Sequence, residues 1–214
     1  MSITTFSAFG ITALIAATTA GLATSPTVPA TAVAAASATS VMAAETYEID
    51  AVHSAVLYRI KHLNAAYNYG RFNEMSGTFT IADTTLSLDV TINTESVDSA
   101  NGGRDDHLRS PDFFNTKQFP TATFKSTSAR VLTEENEDGY RVYEVTGDFT
   151  LNGETESLTM PVVMTGKGTS PRAGKVAGVE AMVDINRSEF GITTYPGMLG
   201  EKVRLIVALE GKLQ

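Results

Sequence analysis

The feature that most constrains this chain is a side-chain period of two, which recurs from Tyr47 to the final residues. Val56, Tyr58 and Ile60 alternate with Leu57, Arg59 and Lys61, and Leu86, Leu88, Val90 and Ile92 alternate with Ser87, Asp89, Thr91 and Asn93. Tyr143, Val145, Gly147, Phe149 and Leu151 oppose Glu144, Thr146, Asp148 and Thr150, while Val203, Leu205, Val207 and Leu209 repeat the pattern near the end. Each segment is a strand with one face to bury. Asn152-Gly153 is the favoured sequence for a two-residue hairpin turn between two of them. A meander of half-buried strands must hide its edges, and a closed antiparallel barrel or a sandwich does so. The fold class is mainly β, with helix expected only around residues 101–114.

The first 44 residues differ in kind, because they carry no charged side chain and are dominated by Ala, Thr, Ser, Val and Pro. Residues 1–23 read as a secretory signal peptide: "FSAFGITALIAATTAGLA" supplies the apolar run, and Gly21 and Ala23 place small residues at the −3 and −1 positions of a cleavage site. Residues 24–44 read as a disordered Ala/Thr/Pro-rich tether with little to bury. Residues 45–214 remain as a single domain, and a hydrophobic content of 43% is enough to give it a core. The expected location is periplasmic or secreted. A net charge of −8 repels phosphodiester backbones, so nucleic acid is not an expected partner. The absence of cysteine removes disulfides, thiolate nucleophiles and zinc–thiolate sites.

The stretch "GGRDDHLRSPDFF", residues 102–114, holds one of three histidines beside two arginines and three aspartates, which raises the question of a catalytic or metal site. On a helix Arg104, His107 and Leu108 share one face, Asp105 and Arg109 form an i, i+4 pair on another, and Asp106 points elsewhere. The carboxylates and the imidazole therefore do not converge on one ion. His53 and His62 are nine residues apart, which spans roughly 30 Å in an extended strand. No metal and no cofactor are expected. Ser54 beside His53 is a sequence neighbour without an evident orienting group, so no catalytic residue is assigned. An enzyme working through His53, Ser54, Asp105 or His107 is the alternative. The structural reading of the stretch is a short, capped, salt-bridged helix whose Ser110-Pro111 starts a new turn and whose Phe113 and Phe114 anchor it to the core.

The segments "YEIDAVHSAVLYRIKHL", "GRFNEMSGTFTI", "GGRDDHLRSPDFFNTKQFPTATFKS", "VTGDFTLNG" and "INRSEFGIT", in this order, resemble the YceI-like family from residue 47 to about 210. The resemblance rests on His53, Ser54, Val56, Tyr58 and His62 in the first strand and on Arg104, Asp105, His107 and Leu108 in the helix. It continues through Phe113 and Phe114 to Arg187, Ser188, Phe190 and Gly191. It implies an eight-stranded antiparallel, lipocalin-like barrel with a short helical insertion, found in exported bacterial proteins that bind long apolar molecules such as polyisoprenoids or fatty amides.

A barrel of eight strands is wide enough to be filled by side chains or to hold one slender ligand. With ten phenylalanines, seven methionines and no tryptophan, the interior is expected to be lined by adaptable apolar groups. Val56, Tyr58 and Leu88 are candidate wall residues, together with Leu108, Phe124, Phe149 and Phe190; His53 joins them at the start of the first strand. Arg104 and His107 are candidates to meet a polar head group at the mouth, with Phe113 and Phe114 lining or gating the tail channel. The expected partner is a long-chain isoprenoid, an isoprenoid quinone or another lipid, carried and not transformed, and a homodimer is the assembly considered. A ligand-free surface or stress protein is the remaining reading.

Overall fold

The computed structural model describes residues 43–133 and 135–214; the proposed signal peptide and nearly all of the tether lie outside them. The chain forms a meander of antiparallel strands that closes on itself. Strands β1 (Glu45–Ile49) and β2 (Ala55–His62) run in line, as do β3 (Ala66–Phe72) and β4 (Met75–Ile81). They are followed by β5 (Leu86–Asn93), β6 (Val97–Asp98), β7 (Thr121–Thr133), β8 (Val142–Leu151), β9 (Glu154–Ser170), β10 (Gly174–Asn186) and β11 (Leu199–Leu213). Both β1 and β2 pair with the long β11, Tyr47 opposite Leu213 and Ala55 opposite Ala208, so together they form one broken strand. In the same way β4 and β3 form the strand facing them. With each broken pair counted as one and the two-residue β6 set aside, eight strands make a closed antiparallel barrel whose seam joins the last strand to the first.

Local chemistry explains the break in the first strand. Asp50 accepts a hydrogen bond from the Val52 amide on its side chain and from the His53 amide on its carbonyl, which turns the chain before β2 begins. The hairpin between β8 and β9 is the expected two-residue turn, with Asn152 at φ 53° and Gly153 at φ 85°. The predicted faces hold: Val56, Leu88, Val90, Phe149, Leu151 and Leu209 are all buried inside.

The helix α1 (Gly102–Arg109) is shorter than the segment read from sequence, and two 3₁₀ turns, Thr94–Ser96 and Arg187–Phe190, accompany it. Asn101 caps α1 by accepting from the Arg104 amide. The neck of this insertion is tied by the fully buried Thr94, whose amide and hydroxyl donate to the Pro120 and Phe119 carbonyls. Among the described residues, β3 pairs on that edge only with the two-residue β6, and the α1 segment packs there. Strand directions put this insertion at the same barrel end as the His62–Ala66, Asn152-Gly153 and 187–198 connections.

Candidate functional site

Inside the barrel lies a cavity of about 530 Å³ that reaches the α1 end. Its wall is largely apolar, built from inward positions such as Val90, Ile92, Met160, Val162, Leu205 and Leu209. The opposite end is plugged. Tyr47 and Phe79 stack with ring centres 5.3 Å apart and, with Tyr143, are almost fully buried without lining the cavity. The void is therefore a blind, apolar tube with one end near solvent.

Polar groups gather at the open end. Arg104, His107, His62, Asn68 and Arg187 border the cavity there, beside the exposed Tyr69, Tyr195 and Met198. Arg104 is clamped to Ser99, its Nε donating to Ser99 Oγ at 2.7 Å and Nη2 to the Ser99 carbonyl at 2.6 Å. His107 Nε2 lies 2.9 Å from Asp112 Oδ2, which orients the ring. Tyr58 brings a phenol into the wall, and burial pushes its pKa up to about 12, so the group stays neutral.

The two adjacent phenylalanines serve different walls. Phe114 packs with Phe72 and Tyr58, ring centres 5.5 and 6.5 Å away, whereas Phe113 meets His107 at 5.1 Å and Tyr195 at 6.4 Å. Ten of the twelve residues expected at a binding site border the cavity: Val56, Tyr58, Leu88, Arg104, His107, Leu108, Phe113, Phe114, Phe124 and Phe149. Two do not. Phe190 is fully buried one layer out, edge-on to Phe149 at 5.3 Å. His53 sits exposed in the turn before β2 and faces Asp50 at 3.0 Å.

The helix also departs from its expected pairing. Asp105 is buried and accepts from the amide and hydroxyl of Ser99, so it is turned inward and does not meet Arg109. Arg109 instead donates to Asp106 and to the carbonyls of Glu95 and Val97, which pins α1 to the chain before it. Of the adaptable apolar groups expected in the lining, the methionines among the described residues are Met160 and Met198; branched aliphatic and phenylalanine side chains do most of the lining.

Periodicity missed the loop after β10. Arg187, 4% exposed, donates to the carbonyls of Gly200, Ile192 and Thr194 and so shapes the segment that carries Tyr195, Met198 and Leu199 to the mouth. These loop positions have no repeating pattern to read. The signal available was Arg187 itself, a charged residue directly after a strand of inward apolar side chains.

Ser54 and His53, two of the groups considered for catalysis, are engaged away from the cavity. Ser54 Oγ bridges the Glu210 backbone, accepting from its amide and donating to its carbonyl. Among the described residues, Asp50, His53 and Glu210 have metal-ligand spacing, their ligand atoms lying within 4.8 Å of one another. The Lys212 ammonium already stands 2.8 Å from the Asp50 carboxylate and supplies the positive charge there. This group is an ion-pair cluster at the barrel seam.

The comparisons with known proteins agree with the fold. The family model of the YceI-like domain matches residues 47–211. Protein YceI of Salmonella newport is 42% identical over 180 residues, covering 82% of this chain and 90% of its own. Among solved structures, Burkholderia cenocepacia BcnA superposes with a TM-score of 0.63 at 22% identity, covering 77% of this chain and 99% of its own. A domain from Saccharophagus degradans, described as polyisoprenoid binding, gives a TM-score of 0.61 at 14% identity, covering 78% of this chain and 98% of its own.

Proposed function

The chain belongs to the YceI-like family, and on that premise we propose that it is an exported protein that holds one long apolar molecule in its barrel. The observation that carries this reading is the apolar cavity of about 530 Å³ with Arg104, His107, His62, Asn68 and Arg187 gathered at its open end. Such a shape suits a ligand with a hydrocarbon tail and a small polar head. Each buried methylene contributes roughly 0.8 kcal/mol, so one five-carbon isoprene unit adds up to about 4 kcal/mol before ordering costs. A polyisoprenoid, an isoprenoid quinone and a fatty amide all fit that description. The description of the Saccharophagus degradans neighbour as polyisoprenoid binding supports the first of these.

In this reading the tail lies along Val56, Leu88, Phe124 and Phe149, with Tyr58, Leu108 and Phe114 around its upper part. The head meets Arg104 and His107. Binding without turnover is supported by the engagement of Ser54, His53 and Asp105 with partners away from the cavity. The uncharged apolar leader supports export, to the periplasm or outside the cell. Native mass spectrometry of the protein purified from its own host is the direct test. A retained lipid mass is expected, together with an N-terminus beginning after the leader. A bare chain that also fails to take up prenyl alcohols overturns the binding reading, and an intact Met1 on a cytosolic species overturns export.

A further inference from the structure

The outer wall beside the mouth reverses the charge of the molecule. On β2 and β11 the outward side chains Arg59, Lys61, Lys202 and Arg204 lie together in a chain of net charge −8. Among them Asp184 is bound by Arg204 through two contacts of 2.7 and 3.0 Å and lies 3.7 Å from the Lys202 ammonium. The neighbouring Glu201 is held by the amide and hydroxyl of Ser188. On β3 the exposed Tyr67 takes the Arg59 guanidinium 4.2 Å and the Lys61 ammonium 4.7 Å from its ring centre. Arg59 Nε is buried with no hydrogen-bond partner.

Directly above this wall stands an apolar tip. Leu63 and Asn64, at φ 48° and 52°, form the turn between β2 and β3, a conformation that suits Asn and Gly and strains leucine. Leu63 is nonetheless 55% exposed, and its amide donates to the carbonyl of Met198, itself 48% exposed. Leucine at this position favours neither the turn nor contact with water. Basic groups around tyrosines, with leucine and methionine projecting beyond them, are the side-chain chemistry that settles at an anionic membrane interface.

We propose that this face docks on an anionic lipid surface, with Leu63 and Met198 entering the headgroup layer so that the cavity mouth meets the bilayer. The inference builds on the cavity reading and adds the surface from which a lipid enters or leaves. The test is co-flotation of the protein, as purified from its host, with vesicles of phosphatidylcholine alone or mixed with phosphatidylglycerol. Partition onto the anionic vesicles is expected, weakening as salt rises. Combining Lys61→Gln with Lys202→Gln should lower it by about fivefold per charge. Leu63→Asn should also lower partition while leaving the melting temperature unchanged or raised, since asparagine suits the turn. Neither variant touches the cavity, so titration with farnesol in vesicle-free solution should match the unsubstituted protein. Failure of the unsubstituted protein in that titration would count against the cavity and not against docking. Equal partition onto neutral and anionic vesicles overturns the proposal. So does an absence of partition onto both; where a dimer that the same substitutions disrupt accompanies it, the face belongs to a second copy of the chain.

Discussion

Arg104 has two demands on one guanidinium. Its Nε and Nη2 hold Ser99, and through Ser99 the buried Asp105, while the side chain also borders the cavity mouth. A bracing role alone predicts that Arg104→Ala lowers stability and weakens all ligands equally. Contact with a polar head predicts a selective effect. Arg104→Ala should then weaken a head-bearing prenyl ligand by roughly 1.5 to 3 kcal/mol, the range for a charged hydrogen bond, and leave a purely hydrocarbon analogue little changed. Paired titrations at equal folded fraction decide between the two, and equal weakening returns Arg104 to the scaffold.

The pairing of β2 with β3 shows how a missing side chain shapes the wall. Tyr58 lies over Gly70 on the facing strand, and a Cβ added at residue 70 would come within 2.2 Å of Tyr58 Oη and 2.3 Å of Cζ. The tyrosine cannot swing freely, because Phe72 and Phe114 pack around its ring at 6.0 and 6.5 Å. Gly70→Ala should therefore cost about 1 to 3 kcal/mol of stability through overpacking, and should force the Tyr58 ring toward the cavity at the expense of tail binding. Tyr58→Leu in the same chain should recover much of both losses. A double-mutant cycle measured by denaturant unfolding and ligand titration tests this, and simple additivity of the two substitutions would sink it.

At the scale of the whole barrel, closure depends on contacts between the two ends of the described chain. The Asp50 amide donates to Glu210, Ser54 bridges the same residue, and Lys212 pairs with the Asp50 carboxylate. The Lys212 ammonium, and then His53, hold the Asp50 pKa down to about 2 from an ordinary 3.8. A carboxyl whose folded pKa is depressed contributes stability above its unfolded value and loses it as pH falls through the folded one. The seam should accordingly weaken between about pH 4 and pH 2. Glu45 and Asp184, also lowered by their cationic partners, act in the same direction. Melting temperatures followed across that range should fall less steeply for Asp50→Asn, which starts lower at neutral pH. An unchanged acid slope in the variant would exclude Asp50 as a determinant.

Four of the strands with their inward faces, the Asn152-Gly153 hairpin and the place of the helical insertion follow from the sequence alone, because each rests on residues one to four positions apart. Strand parity placed Val56, Tyr58, Leu88, Phe124 and Phe149 at the cavity, since a residue's side of a strand is set by alternation. Tertiary structure decided the rest. Asp105 turned from Arg109 to Ser99 because a buried carboxylate gains more from the amide and hydroxyl of Ser99 than from an exposed ion pair. Phe113 and Phe114 divided between two walls, and Phe190 fell behind Phe149, through contacts with strands far away in the chain. The Asp50–Lys212 pair, the mouth loop held by Arg187 and the plug of Tyr47, Phe79 and Tyr143 likewise join distant residues. A cavity is the volume that such long-range packing leaves unfilled, and no local pattern in the chain encodes it.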